Sequence, residues 1–310
     1  MVPVSVRADD LRLATWHVDL SLKGPGLLVR DLGKGSFDTV LDQIAVVQPD
    51  VLVLTDIDYD YGMVALGLMR DALGTRGLDL PYLFAQRPNT GMSTGLDLDG
   101  DGLLGGPRDA QGYGWFSGQG GQAVLSRYPI SLVADFSTVL WRDAPDTAMR
   151  ETDSGWDIQR LSTSAHWALR VDAPAGALDV LTLAATPPLF DGPEDRNGRR
   201  NRDEVLLWLH VLEGRVAGYQ PTHPLVLVGN FNLDPDKGDG LRDTAQQVLD
   251  HPALQDPLPG QPTVEWSGPG EMRVSYVLPS GDLTVTDAGI TLPAEGGGPH
   301  RLVWVDVVLP

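Results

Sequence analysis

Apolar and polar residues alternate over Leu11-Arg-Leu-Ala-Thr-Trp16, the period of a β-strand. From Phe37 onward the period changes. Phe37, Val40, Leu41, Ile44 and Val47 share one helical face, and Pro49 stops the helix. Val51-Leu-Val-Leu54 is an unbroken apolar run, as expected of a strand covered on both faces. Tyr61 to Leu73 predicts a second helix and Gln122 to Ser126 the next strand. Further strands are predicted at Trp167–Val171, Leu178–Leu183, Pro224–Val228, Val274–Leu278, Leu283–Thr286 and Leu302–Asp306, with a helix over Asp203–Leu212. Residues 87–121 are glycine-rich and have little periodicity. So long a loop inside a compact domain is expected to be functional or held by a ligand. Strands with helices interleaved near the start and after residue 200 predict one layered α/β domain over residues 11–310, with 87–121 as an insertion.

Composition narrows the function classes. With 36 glycines and 24 prolines the chain suits short strands joined by many turns. Lys and Arg total 23 against 42 Asp and Glu, a formal charge of −19. Such a surface repels polyanions, so nucleic acid is not the expected partner, and solubility or salt adaptation is the plain reading of the charge. The chain has no cysteine, which excludes disulfides, thiolate catalysis and cysteine-bound metals. No apolar run of about 18 residues is present, so no spanning helix is expected. Val6-Arg-Ala8 before Asp9-Asp10 looks like the trimmed end of a signal peptide, although the apolar stretch of one is missing. Residues 1–10 are therefore read as an N-terminal extension or signal-peptide remnant. A periplasmic or secreted location follows in that case, and a cytoplasmic one otherwise.

Six segments, in order along the chain, resemble one family: "LRLATWHV", "PDVLVLTDID", "GQAVLSRYPI", "LVLVGNFNLDP", "RVSYVLPS" and "GPHRLVWVDV". Two longer blocks, "RPNTGMSTGLDLDGDGLLGGPRDAQGYG" and "TPPLFDGPEDRNGRRNRDE", look like a bacterial, often exported, branch of it. The family is the endonuclease/exonuclease/phosphatase superfamily. The resemblance implies an α/β four-layer sandwich: two mixed, mostly antiparallel sheets face to face, helices outside, and an active cleft where the quoted strand ends converge. It also implies hydrolysis of phosphoesters with Mg²⁺ or a similar ion.

Carried over position by position, the implied site is altered. The family's first metal-holding Asn matches His17, and imidazole suits Zn²⁺ or Mn²⁺ better than Mg²⁺. The metal-holding Glu matches Asp56, with Asp58 roughly 7 Å further on the same strand face. The water-activating Asp matches Asn230, whose carboxamide takes no proton. The phosphate-binding Asn is kept as Asn232 and the last His as His300. The Asp of the Arg-Ile-Asp-Tyr motif matches Ser275, the Asp before the last His matches Pro299, and the mid-chain His matches Ala184. Groups at one site act as a unit, so these losses together are expected to abolish the ancestral chemistry. The leading expectation is a non-catalytic or weakly catalytic binding protein for a small phosphoester or another ligand. The alternative is an active metal-dependent phosphoesterase rebuilt around His17, Asp56, Asn232 and His300.

Other residues carry candidate chemistry. His17, Asp56 and His300 have the composition of a transition-metal facial triad, and unrelated polar remnants are the plain alternative. Asp97, Asp99 and Asp101 have calcium-loop spacing, with Asp109 able to complete a shell. Arg108 at the twelfth position rules out an EF-hand, and a solvated acidic turn is the rival reading. Arg196, Arg199 and Arg200 are candidates for gripping a phosphate, or else for a salt-bridge network in their loop. His166 is a candidate for the cleft wall, or else a satisfied core histidine. Asp234-Pro-Asp-Lys-Gly-Asp239 is read as a surface turn.

Overall fold

The computed structural model describes residues 10–310. The expected signal-peptide remnant lies, apart from Asp10, outside the described residues.

Strand alternation feeds two different cores. The elements run β1 (Asp10–Leu20), α1 (Leu27–Leu32), α2 (Asp38–Val47), β2 (Val51–Ile57), α3 (Val64–Thr75), β3 (Tyr82–Phe84), β4 (Gly121–Ser126), β5 (Ile130–Asp135), β6 (His166–Ala173), β7 (Gly176–Ala184), α4 (Arg196–Leu212), β8 (Leu225–Asn230), α5 (Asp243–Leu249), β9 (Val264–Trp266), β10 (Gly270–Met272), β11 (Ser275–Pro279), β12 (Thr284–Ile290) and β13 (Val303–Val308). One sheet has the order β12-β13-β1-β2-β4-β3 and the other β11-β8-β7-β6-β5, with β9 and β10 as a separate ribbon. In each large sheet most pairs are antiparallel, and one central pair, β1 with β2 and β7 with β8, is parallel.

Val51 and Val53 of β2 meet Val226 and Val228 of β8 in the core between the sheets. Their neighbours Leu52 and Leu54 point the other way, onto α1, α2 and α3. Leu225 and Leu227 point onto α4 and α5. The layers are therefore helix, sheet, sheet, helix, and the apolar run at Val51 is covered on both faces as its sequence predicts.

Two helices start away from their expected positions. The helix expected from Tyr61 begins at Val64, because the Asp60 carboxylate accepts the N–H groups of Val64 and Ala65 and fixes the first turn there. The helix expected from Asp203 begins at Arg196. Its first two turns lack an apolar stripe and are held by polar anchors instead: Asn201 donates to the carbonyls of Thr186 and Phe231. The 87–121 stretch is ordered without regular elements beyond one 3-10 turn at Pro107–Asp109. The Asn89 amide donates to the carbonyls of Ser137 and Ser162, and Ser93 bridges Ala110.

A buried ion pair ties the first strand to the last. The Arg12 guanidinium binds Asp306 in a two-pronged contact of 2.6 and 2.7 Å, donates to the Val47 carbonyl and lies 4.0 Å from the Trp304 ring. Removing one partner leaves a buried charge uncompensated, whereas replacing both is far less costly. Arg12→Met is expected to cost about 3–5 kcal/mol in urea unfolding. The double substitution Arg12→Met/Asp306→Leu is expected to recover most of that loss.

Candidate functional site

The C-terminal ends of the parallel strands and the N-terminal ends of their antiparallel neighbours meet at one edge of the sandwich. His17 is near the end of β1, Asp56 near the end of β2, Ala184 ends β7 and Asn230 ends β8. Ser275, which opens β11, pairs with Asn230 in register. Pro299 and His300 come just before β13.

Local backbone geometry aims these side chains. The register between β2 and β4 slips between Thr55 and Ile57, and Asp56 in the slip is left-handed with φ 59°. A bulge of this kind turns one side chain out of its strand face, here into the cleft. Asn232 is left-handed as well, at φ 51°. Asp and Asn tolerate that region better than most residues. Gly229 is obligatory: at φ 144° a Cβ there would lie 1.9 Å from the Leu183 carbonyl oxygen.

The Asn230 amide organises the floor. Its Oδ1 accepts the backbone N–H of Asn232 at 3.0 Å, which fixes which end of the amide is oxygen. Its Nδ2 therefore donates, at 3.0 Å to His17 Nδ1 and at 3.1 Å to Asn232 Oδ1. His17 Nδ1 also lies 3.0 Å from the Thr55 hydroxyl. An imidazole that accepts at Nδ1 carries its proton on Nε2. That nitrogen faces Asp56 Oδ2 across 3.8 Å. Burial lowers the His17 pKa, opposed by the charges of Asp56 and Asp19. Asn232 spends one N–H on the Ala185 carbonyl at 2.7 Å.

Above this floor opens a cleft of about 770 Å³, walled by Tyr113, Trp115, Phe190 and Trp266. His17, Asp56, Ala184, Asn232 and His300 all line it. Lys237 is the one cation among the described residues that line it, and its Nζ donates to the Glu271 carbonyl at 3.0 Å. The His300 ring lies against His17 with centroids 4.3 Å apart and the planes tilted by 47°. His300 Nδ1 and Ser275 Oγ are buried and have no partner among the described residues. Burial, reinforced by His17, pushes the His300 pKa down to about 2.

A sequence model of the endonuclease/exonuclease/phosphatase family matches residues 31–297. The chain belongs to that family. No curated protein matches the chain. Solved structures of family members share the fold at low identity. An endonuclease/exonuclease/phosphatase from Beutenbergia cavernae is 17% identical with a TM-score of 0.61, over 97% of this chain and 72% of that one. A family protein from Leptotrichia buccalis is 12% identical with a TM-score of 0.57, over 96% and 99%. A 3′ phosphatase from Neisseria, bound to a product DNA hairpin, is 16% identical with a TM-score of 0.51, over 95% and 98%.

The divalent metal of the endonuclease/exonuclease/phosphatase family fits the cleft donors poorly. Mg²⁺ takes oxygen ligands, and Asp56 stands opposite an imidazole that is bonded through Nδ1 and offers no oxygen. Among the described residues, one group of three or more acidic or imidazole side chains brings its donor atoms within 4.8 Å of one another: Asp97, Asp99 and Asp109. The triad of His17, Asp56 and His300 is not such a group. Asp101 is turned away and accepts the Leu103 N–H. The three carboxylates suit a hard cation, although Asp97 and Asp109 already accept backbone N–H groups at 2.7–2.9 Å.

Other candidates are placed elsewhere. Asp58 is a clamp, accepting the N–H groups of Leu22 and Gly120, and burial pushes its pKa up to about 6. Asp234 accepts the N–H groups of Asp236, Lys237 and Arg273 and shapes the turn that carries Lys237. Arg199 is paired with Asp153 at 2.7 Å. Arg196 and Arg200 line a neighbouring pocket. His166 is fully buried away from the cleft, with Nε2 donating to the Glu204 carbonyl at 3.0 Å and Nδ1 2.7 Å from the Ser162 hydroxyl. The aromatic wall was not anticipated. Tyr113 and Trp115 sit within the aperiodic 87–121 stretch, and exposed aromatics in such a loop are its one sequence signal.

His166 supplies a test of the interior. Burial lowers its pKa from 6.5 to about 4. The folded protein therefore holds it neutral where the unfolded chain would bind a proton. Its contribution is complete above pH 6.5 and is lost as the pH falls toward 4. The stability difference between the native protein and His166→Gln, from urea unfolding, is expected to shrink over that interval.

Proposed function

We propose that this endonuclease/exonuclease/phosphatase family member does not carry out metal-dependent phosphoester hydrolysis and acts as a binding protein. The observation that carries the reading is the Asn230 amide. At the position where the family resemblance calls for a water-activating carboxylate stands a group that accepts no proton, and it donates to His17. Around it, Ser275 and Pro299 offer no carboxylate, and Ala184 offers no imidazole to a phosphoryl oxygen. One lysine, already bonded to a carbonyl, is a weak welcome for a phosphate dianion. Together with the charge of −19, it also argues against a nucleic-acid strand.

The 3.8 Å approach of His17 Nε2 and Asp56 Oδ2 favours a second reading, a phosphoesterase rebuilt on a softer metal. That reading requires His17 to give up its Nε2 proton and to find further ligands.

Turnover separates the two. The purified protein is assayed on bis(p-nitrophenyl) phosphate and p-nitrophenyl phosphate with Mg²⁺, Mn²⁺, Zn²⁺ or Ca²⁺. The binding reading expects no hydrolysis above the buffer rate. Turnover that His17→Ala abolishes would establish the rebuilt site instead. The combined reversion Asn230→Asp/Ser275→Asp/Pro299→Asp is expected to gain Mg²⁺-dependent hydrolysis, because the strands that aim these positions are intact.

A further inference from the structure

Beside the family cleft lies a second pocket of about 840 Å³, and the two share Tyr113, Thr186, Pro187 and Phe190 along their common rim. A volume of that order holds a small organic molecule. Three arginines line the second pocket, where the first has one lysine. Arg200 and Arg196, from the first turns of α4, line it, and Arg108 reaches it from the 87–121 loop.

These arginines are unusual in so acidic a chain. None of the three forms an ion pair among the described residues, whereas Arg199 between them is paired with Asp153. Arg200 is only 6% exposed. Its Nε donates to the Leu161 carbonyl and its Nη2 to those of Gln111 and Arg160, leaving Nη1 with no partner among the described residues. Arg196 donates through Nη2 to Ser154 and Gln159. Its Nε is buried without any partner among the described residues. Burial lowers both pKa values, that of Arg200 to about 10, which leaves Arg200 charged at neutral pH. Carboxylates stand nearby, Glu204 by Arg200 and Asp153 by Arg196. Glu204 is bonded to Thr163 and Thr186 and Asp153 to Arg199, so each desolvated cation keeps a spare donor that an anion in the pocket would complete.

The acids that line the pocket do not take up those donors. Asp99, Asp191 and Glu194 also line the pocket, but they are exposed. Each accepts a backbone N–H, from Asp101, Asn197 and Gly192 respectively. The pocket also lies at the N-terminus of the 17-residue helix α4, whose dipole adds positive potential there.

We propose that this second pocket binds a small organic anion, its carboxylate or phosphate head held by Arg196 and Arg200 and its body resting on Tyr113 and Phe190. The inference stands apart from the proposal for the family cleft, because it needs neither a metal nor any residue of the Asn230 floor.

The test is calorimetric titration of the full chain with inorganic phosphate and, separately, with benzoate. One-to-one binding of at least one probe is expected, and comparison of the two tells a phosphate from a carboxylate site. Losing a charged fork weakens binding by about tenfold or more, so Arg196→Gln is expected to do so. Lys237→Gln, in the family cleft, is expected to leave the affinity unchanged. Where Arg196→Gln does not fold, nitrogen-15 spectra of the native protein provide the same readout. The probe is expected to shift the Arg196 and Arg200 Nε signals and leave the Lys237 signal in place. No binding of either probe, binding indifferent to Arg196, unshifted Arg196 and Arg200 signals, or binding lost in Lys237→Gln would overturn the proposal. None of these outcomes depends on whether the family cleft hydrolyses phosphoesters.

Discussion

The candidate site depends on one amide. Asn230 ends a strand of one sheet, His17 lies near the end of a strand of the other, and the 3.0 Å contact between them joins the two sheets at the cleft floor. The direction of that hydrogen bond is not free. The backbone N–H of Asn232 claims the amide oxygen, so the amide nitrogen must face the imidazole. From there the consequences run outward. His17 accepts on Nδ1, its proton sits toward Asp56, and a second imidazole, His300, leans against it at a 47° tilt, its Nδ1 unpartnered among the described residues. A carboxylate at position 230 would reverse this polarity, which is why a one-atom difference between Asn and Asp bears so heavily on the chemistry.

The same geometry explains how much could be read beforehand. The strands were legible because burial on both faces leaves apolar runs such as Val51-Leu-Val-Leu54, and family resemblance ordered them into two sheets. The start of α4 was hidden because Asn201 and the arginines are held by carbonyls and ion pairs distant in sequence, and hydrophobic periodicity does not register such anchors. The identities at positions 17, 56 and 230 were legible, and their mutual orientation was not. It comes from a bulge at Asp56, a left-handed Asn232 and a close approach that only Gly229 permits. The aromatic wall was missed for a related reason: Trp115 and Phe190 lie on loops whose path no periodic pattern encodes.

Cationic side chains are unevenly spread across the edge of the sandwich. The cleft where the family resemblance places phosphate chemistry has one lysine, while the adjoining pocket gathers three arginines that form no ion pair among the described residues. The two share an aromatic rim, so a ligand in one touches the wall of the other. The strand ends still hold a shaped, partly apolar recess, and the cationic donors stand next to it.

On the proposed reading, the cleft floor built on Asn230 does not hold a divalent cation. Calorimetric titration of chelator-treated protein with Mg²⁺, Mn²⁺ and Zn²⁺, repeated on Asp56→Asn, tests it most directly. The two proteins are expected to give the same isotherms, any residual binding belonging to the Asp97, Asp99 and Asp109 cluster. One-to-one binding in the native protein that Asp56→Asn removes would contradict it.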